Sequence, residues 1–248
     1  MFRRSPTAFF FGMMHNMTEE EQQLSSKAAA YVRDHKRELI EQFASLGLYS
    51  PDDRPISIFM AGSPGAGKTE FSKRLIESFN SKPVRIDADE IREWIPDHLS
   101  NDASVYQKAS TDGVQKLYDH VLHERLNVVL DGTFAYAGAA ANVERSIKRH
   151  RKVEIYFLYQ DPLVSWQFTK NRELEEHRNV PKDTFINAFF VSQENAYQAK
   201  QRFGRDIELN VVIKNFDTNL DSLNLNVDRV ENHIPKRYTR EELESILG

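Results

Sequence analysis

The octapeptide at residues 62–69 constrains the fold of this chain more than any other feature. It follows an apolar run at residues 56–60 and precedes residues with helical spacing, so the sequence predicts a strand, a glycine-rich loop and a helix. In such a loop backbone amides surround phosphates, Lys68 reaches the β and γ phosphates, and the Thr69 hydroxyl can ligate Mg²⁺. The predicted nucleotide-binding residues are Gly62, Ser63, Pro64, Gly65, Ala66, Gly67, Lys68 and Thr69.

Strand and helix patterns alternate after this point. Strands are expected at residues 56–60, 84–87, 127–131, 153–158 and 207–213, and helices at residues 68–79, 102–125, 139–149, 162–178 and 182–203. This order is typical of an α/β fold of the P-loop NTPase or kinase type, with a mainly parallel sheet flanked by helices. Ligands of such sheets bind at the carboxyl ends of the strands. A chain of 248 residues suits one such domain, which we place at residues 51–248.

A helical extension is predicted ahead of the domain, at residues 1–50. Thr18 and Glu21 form a capping-box pattern, and an apolar stripe continues from them to Leu46 as one long helix. We expect this helix to brace the domain, with a regulatory role as the alternative. Residues 1–17 contain arginines and apolar residues, as a signal peptide does, but the apolar part is short and no cleavage site follows. They are expected to be an extension, with Met17 as an alternative start.

Composition limits the partners and the location. The net charge of -4 and the pI near 6.1 argue against a nucleic-acid surface, which usually carries a basic excess. The chain has no Cys, so it has no disulfides, thiolate metal ligands or thiol nucleophile. No run of residues is long and apolar enough to cross a bilayer. A cytoplasmic protein without a membrane span is expected.

Carboxylates follow two of the predicted strands. Asp87 and Asp89 come at the end of the second strand as predicted substrate contacts, where one can orient Mg²⁺ and the other can accept a proton from a substrate hydroxyl; the metal role is assigned to Asp87. The alternative is that Asp89 only caps the next helix. Asp131 and Thr133 end the third strand as predicted substrate contacts, with an Asp-Gly turn as the alternative. Arg92 is added to the predicted substrate contacts.

Phosphoryl transfer also needs cations around the migrating group. The helix predicted after Pro162 carries several basic residues, of which Arg172 and Arg178 are the candidates for a helical lid. The alternative is a solvated face on which these charges have no catalytic role.

Taken together, residues 62–69, 86–89 and 131–133, with Arg172 and residues 178–181, resemble the zeta toxin family of bacterial toxin-antitoxin systems. Members of that family are P-loop kinases that use ATP, and the best understood phosphorylate the 3′-hydroxyl of the sugar in UDP-N-acetylglucosamine. Several are inhibited by an antitoxin that obstructs the nucleotide site.

The resemblance covers residues 56–216 and implies roles for single residues. Lys68 becomes the phosphate-binding lysine, Asp89 the base, and Asp131 and Thr133 substrate contacts. Arg172 and Arg178 become the cations that neutralise the transferred phosphate.

Two positions depart from the family pattern. Asp131 stands where the family often has Glu, and a family carboxylate in the preceding helix aligns with Gln115. Both departures fall on the acceptor side. The alternatives are therefore a kinase of another nucleotide sugar, dinucleotide or nucleoside, and a regulatory nucleotide switch or NTP hydrolase. The N-terminal helix is an addition to the family core. Its two candidate roles are self-inhibition and the docking of an antitoxin.

Overall fold

A six-stranded sheet forms the centre of the molecule. The computed structural model describes residues 17–96, 98, 103–176, 179–215 and 221–248. Within them the strand order is β2-β3-β1-β4-β5-β6, and all pairs are parallel except β5 with β6. The predicted mainly parallel α/β sheet is thereby confirmed. The strands are β1 (Ile56–Ala61), β2 (Val84–Asp87), β3 (Val128–Asp131), β4 (Lys152–Tyr159), β5 (Glu208–Ile213) and β6 (Ser222–Asn224).

Helices connect the strands and follow the predicted segments closely, with one addition. The described helices are α1 (Glu19–Asp34), α2 (Lys36–Ala44), α3 (Lys68–Glu77), α4 (Ala88–Trp94), α5 (Ala103–His123), α6 (Ala139–Ile147), α7 (Pro162–Glu176), α8 (Lys182–Phe203) and α9 (Arg240–Ile246). Helix α4 is absent from the segments expected from periodicity, and a helix at this point was considered only in the alternative that Asp89 caps it. It has 7 residues and begins directly at the end of β2, so it shows too few turns for a helical period to be visible.

The two faces of the sheet bury separate groups of apolar side chains. Ile58 and Met60 belong to the apolar cluster on the face covered by α3, against which Phe71 and Leu75 pack. Phe59 points to the opposite face, into the larger core that α5, α6 and α8 share. Because side chains alternate along a strand, each polar residue at a strand end can also be assigned to one face.

The N-terminal segment is two helices, so the prediction of one long helix was wrong. The chain bends at His35, which ends α1 and begins α2. The backbone N–H of His35 donates to the Tyr31 carbonyl at 2.9 Å, and its ring Nδ1 lies at the same distance from that oxygen. The His35 ring also stacks on the Tyr31 ring, with centroids 4.0 Å apart. The backbone bond is a regular i to i−4 helical bond, and the ring Nδ1 shares its acceptor, the Tyr31 carbonyl.

Helices α1 and α2 pack on α5, and Val32 and Leu39 are completely buried in the larger core. Tyr31 also contacts Trp94, at the end of α4, with ring centroids 5.1 Å apart. The packing therefore favours a brace for these helices. The boundary at residue 50 remains a prediction.

No helix in the described part of the chain is long and apolar enough to cross a bilayer.

Candidate active site

The loop between β1 and α3 has a backbone that only glycine adopts comfortably at three positions. Gly62, Gly65 and Gly67 have φ values of +129°, +71° and +80°. A Cβ on Gly62 would collide with the Leu158 carbonyl of β4, and one on Gly65 with the Ser165 carbonyl of α7. Left-handed residues in such a loop turn successive N–H groups toward one point, which makes a site for anions.

Lys68 and Thr69 form the first turn of α3, next to this loop. The Lys68 ammonium donates to the carbonyls of Gly62 and Ser63, at 3.1 and 2.6 Å, and the residue is 9% exposed. Thr69 is half-buried. The positive end of the α3 dipole points the same way, so lysine, helix end and loop amides all favour a phosphate group here.

The sheet topology brings the end of β3 beside this loop. β3 lies between β2 and β1, and the chain leaves β1 and β3 in opposite directions, which creates a crevice at the carboxyl ends. Asp131 accepts a hydrogen bond of 2.7 Å from Ser72 of α3, whose hydroxyl also lies 3.0 Å from the Thr69 carbonyl. The Thr133 carbonyl accepts from the N–H of Gly62 at 3.1 Å. The predicted substrate contacts after β3 are therefore joined to the phosphate-binding loop.

Arg85 on β2 binds three carboxylates at this edge. Its Nε donates to Asp131 Oδ2 at 2.9 Å, its Nη2 to Asp87 Oδ2 at 2.5 Å and its Nη1 to Glu90 Oε1 at 2.5 Å. Burial disfavours the charged guanidinium, but Asp131, Asp87 and Glu90 outweigh it and raise its pKa. Burial also raises the pKa of Asp87 to about 6, together with the charges of Asp89 and Asp131. This cluster was not predicted from the sequence.

Asp87 and Asp89 differ in their surroundings. Asp87 is the N-cap of α4, and its Oδ1 accepts from the N–H of Asp89 at 2.9 Å. The cap is thus Asp87, and the alternative that Asp89 only caps the helix does not describe this turn. Asp89 lies in the first turn of α4 with 27% of its side chain exposed, and its Oδ1 accepts from Arg92 at 3.0 Å. The roles proposed for Asp87, Asp89 and Arg92 in the reaction remain predictions.

Helix α7, the predicted lid, touches the phosphate-binding loop. Ser165 and Thr169 are buried, and Thr169 Oγ1 would stand 2.8 Å from a Cβ on Gly65. Arg172 is exposed, one turn further along α7. Arg178 lies outside the described residues, so its predicted role is not tested. Cationic neutralisation by both arginines stays a prediction.

Two more polar residues beside the loop were absent from the predictions. Lys214, just after β5, lies with Cε 3.3 Å from a Cβ placed on Gly67, and its ammonium pairs with Asp221 at 2.9 Å. Ser72 links Asp131 to α3. Ser72 lies one helical turn after Thr69, a spacing that would have placed both on one face of α3. Lys214 gives no comparable signal, because only the parallel pairing of β4 and β5 brings it to the loop.

Gln115 faces α6 in the structure. Its Oε1 accepts from Arg145 Nη1 at 2.9 Å, and the same nitrogen donates to Asn142 at 2.9 Å. Gln115 therefore takes part in a hydrogen-bond network between α5 and α6.

The residues at this edge suit a magnesium ion bound with a nucleotide. Mg²⁺ prefers oxygen ligands and keeps several waters, so it needs few protein groups. The Thr69 hydroxyl and the Asp131 carboxylate can both supply oxygen ligands. The Ser72 hydroxyl lies within hydrogen-bond distance of both the Thr69 backbone carbonyl and the Asp131 carboxylate. Both oxygens of Asp87 are engaged, by Arg85 and by the α4 cap. Its predicted metal role has no support from these contacts and stays a prediction.

The sheet order, the glycine loop after β1 and the acidic strand ends beside it define a protein of the P-loop kinase-like fold. Within that class, the model of the Zeta toxin family matches residues 41–228, more than half of the chain. The chain belongs to the Zeta toxin family. No significant match was found among curated protein sequences.

Solved structures with the same fold agree with this assignment. A protein of the PezAT chromosomal toxin-antitoxin system of Streptococcus pneumoniae has a TM-score of 0.58 at 15% identity, over 94% of this chain and 89% of that one. The native AvrRxo1-ORF1:-ORF2 complex gives 0.58 at 14% identity, over 88% and 72%. The same complex with ATP gives 0.55 at 15% identity, over 84% and 67%. At these identities the similarity shows the fold.

Proposed function

We propose that this protein is an ATP-dependent kinase that transfers the γ-phosphate to a sugar hydroxyl of a nucleotide sugar, and that it acts as a bacterial toxin. The observation that carries the proposal is the meeting of three elements at one sheet edge. The phosphate-binding loop bonds to the segment after β3 through Thr133, and packs on α7 through Gly65. Asp131, beside the loop, shares Arg85 with Asp87, which starts the helix that carries Asp89.

In this mechanism the loop amides and Lys68 bind the β and γ phosphates of ATP. Mg²⁺, held by Thr69 and Asp131, would neutralise charge on the phosphate oxygens. Asp89 accepts the proton of the acceptor hydroxyl while the oxygen of that hydroxyl forms a bond to the γ-phosphorus. The bond between the γ-phosphorus and the β–γ bridging oxygen breaks, and ADP leaves. Arg172 stabilises the charge of the transferred group from the α7 side.

The acceptor is the finer part of the proposal. UDP-N-acetylglucosamine is the first choice because the chain belongs to the Zeta toxin family, whose best understood members phosphorylate this nucleotide sugar. We also propose that the protein is located in the cytoplasm, where ATP and nucleotide sugars occur. An antitoxin that binds over the nucleotide site is likewise proposed, because one protein of similar structure comes from a toxin-antitoxin system.

Labelled phosphate transfer from ATP to a panel of acceptors tests the function. The panel contains UDP-N-acetylglucosamine, other nucleotide sugars, a dinucleotide and a nucleoside. We expect one nucleotide sugar to be labelled, with Lys68→Ala losing ATP binding. Asp89→Asn should keep ATP binding and lose about 10²–10⁴-fold in rate, which is the usual contribution of a general base. Asp34→Asn, an exposed carboxylate on α1, is the matched control.

The alternatives give different results in the same assay. Undiminished transfer by Asp89→Asn would remove Asp89 as the base. ATP hydrolysis with no labelled acceptor would favour a regulatory switch or hydrolase. Expression of the wild-type protein in bacteria should arrest growth, and the Asp89→Asn variant should not. A toxic Asp89→Asn variant would separate toxicity from phosphoryl transfer.

A further inference from the structure

We propose that Arg85 is a positioning residue that serves as the built-in counter-ion of Asp87 and Asp131. It holds these two carboxylates in place and leaves no site for a free divalent cation between them, so that the metal enters together with ATP. The inference rests on the proposed function, because it concerns metal use by that reaction. It concerns a residue to which neither the sequence motifs nor the family resemblance gives a role.

The geometry makes Arg85 the centre of the acidic edge. Its side chain is 11% exposed, and its three kinds of nitrogen each donate to a different carboxylate. Asp87 and Asp131 are register partners on neighbouring strands, and both share one guanidinium. An arginine guanidinium presents five donors in a rigid fork and keeps its charge at all ordinary pH values.

Electrostatics require a cation at this position. Carboxylates directly opposite each other on paired strands destabilise the sheet, and a buried charge without a partner costs several kcal/mol. Asp131 has only 3% of its side chain exposed and Asp87 has 12%, so water screens them poorly. Either a metal ion or a basic side chain can compensate them.

Arg85 meets this requirement without a metal. In the described part of the chain no group of three or more His, Cys, Asp or Glu residues is arranged to hold a metal ion, although Asp87, Asp89, Glu90 and Asp131 lie close together. The guanidinium lies between their oxygens. A fixed organic cation therefore occupies the position that a free divalent ion would otherwise take.

The same contacts connect Arg85 to the proposed base. Asp87 is held at Oδ2 by Arg85 and caps α4 through Oδ1, where it accepts from the N–H of Asp89. A shift of Asp87 would therefore shift the first turn of α4 and with it the Asp89 carboxylate. Arg85 acts on the reaction through Asp87, without contact to the reacting atoms being required.

Thermal unfolding in the absence of nucleotide tests the counter-ion role. Wild-type protein, Arg85→Met and Arg85→Lys are unfolded in EDTA and in MgCl₂ or MnCl₂ at matched ionic strength. Arg85→Met should melt below wild type in EDTA and regain about 3 °C or more with the divalent ion, as expected for a ligand that binds the folded state only. Wild type and Arg85→Lys, which keep the positive charge, should show no comparable gain. Arg85→Met combined with Asp131→Asn should lose the response.

Mn²⁺ binding followed by electron paramagnetic resonance provides a second measurement that does not depend on folding of Arg85→Met. Wild-type protein should bind Mn²⁺ at least about ten-fold more tightly with ATP than without it. Tight Mn²⁺ binding to wild type without ATP, or an Arg85→Met variant that folds but does not respond to Mg²⁺ or Mn²⁺, would overturn the inference. Failure of wild type to bind ATP at all would instead overturn the proposed function.

Discussion

Replacement of Gly65 by alanine tests the contact between the phosphate-binding loop and α7, on which the arrangement of donor site and lid depends. Gly65 has φ +71°, and its missing Cβ points at the Ser165 carbonyl and at Thr169 Oγ1. Ser165 is a backbone contact inside α7, so it cannot rotate away as the end of a flexible side chain can. An alanine must therefore either push α7 away or change the conformation of the loop.

The magnitude follows from two separate costs. A residue with a Cβ in the left-handed region costs about 1–2 kcal/mol, and forced overpacking costs about 1–3 kcal/mol. The free energy of unfolding should therefore fall by about 2–5 kcal/mol in Gly65→Ala. In a domain of this size each kcal/mol corresponds to about 2–4 °C, so the melting temperature should fall by about 4–20 °C.

Two other glycines of the chain separate these costs. Gly204 has φ +54° but nothing within 4 Å of its Cβ position, so Gly204→Ala reports the backbone cost alone. Gly132 has no positive φ and equally open space, so Gly132→Ala should be near neutral. The expected order of melting temperatures, measured by far-UV circular dichroism, is Gly132→Ala highest, then Gly204→Ala, then Gly65→Ala. Calorimetric titration should also show weaker ATP binding for Gly65→Ala only.

A Gly65→Ala variant that is no less stable than Gly204→Ala would refute the contact with α7. One that is destabilised as expected but binds ATP with wild-type affinity would refute the role of this loop in phosphate binding, since the conformation that holds the amides could not survive unchanged. The two outcomes thus separate the packing argument from the functional one.

Three further predictions concern pH, the N-terminal helices and the lid. Burial first, then nearby carboxylates, raises the pKa of Asp87 from 3.8 to about 6. The folded state therefore binds more protons between these values, and the free energy of unfolding should fall by about 1–3 kcal/mol as the pH rises through this range. Urea unfolding without metal or nucleotide should show this slope, and Asp87→Asn should lack it; an equal slope in both would contradict the assignment. Leu39→Ala should cost about 2–5 kcal/mol in urea unfolding because Leu39 is completely buried. Leu48→Ala, at a position 70% exposed, should cost less than about 0.5 kcal/mol, and equal costs would count against the brace. Arg172→Gln should lower kcat about 10²–10³-fold in the labelled transfer assay, with the melting temperature unchanged. Arg33→Gln, at an exposed position on α1, is its control, and an unchanged kcat in Arg172→Gln would remove Arg172 from the lid.

The donor side could be predicted from the sequence because its residues are contiguous. Residues 62–69 carry the loop, the lysine and the start of α3 in one stretch, and local backbone preferences are enough to define them. The same holds for the capping box at Thr18, which occurs as predicted. Such local patterns can be predicted because they depend on a few neighbouring residues and little on tertiary packing.

The acidic edge could be predicted only in part, because it is assembled from two strands. Arg85 meets Asp131 across 46 positions of sequence, a contact that exists only because β3 pairs with β2 in the observed register. The period of two along β2 places Arg85 and Asp87 on one face, so their proximity was available from the sequence. The sequence did not indicate which neighbouring strand carries the second carboxylate, because strand order follows from the packing of the crossover helices.

The division of labour between the acidic residues follows from where β2 ends. Had the strand continued, Asp87 and Asp89 would point to one side and compete for the same role; the chain instead turns into α4 at Ala88. Asp87 then has both oxygens engaged, by Arg85 and by the helix cap, while Asp89 is partly exposed in the first turn. We therefore infer that Asp89 takes the proton and that Asp131, beside Thr69 through Ser72, serves the metal. On this reasoning Asp87→Asn should lower the rate far less than Asp89→Asn in the labelled transfer assay, because an asparagine still caps α4. An equal loss in both variants would contradict this assignment of roles to Asp87 and Asp89.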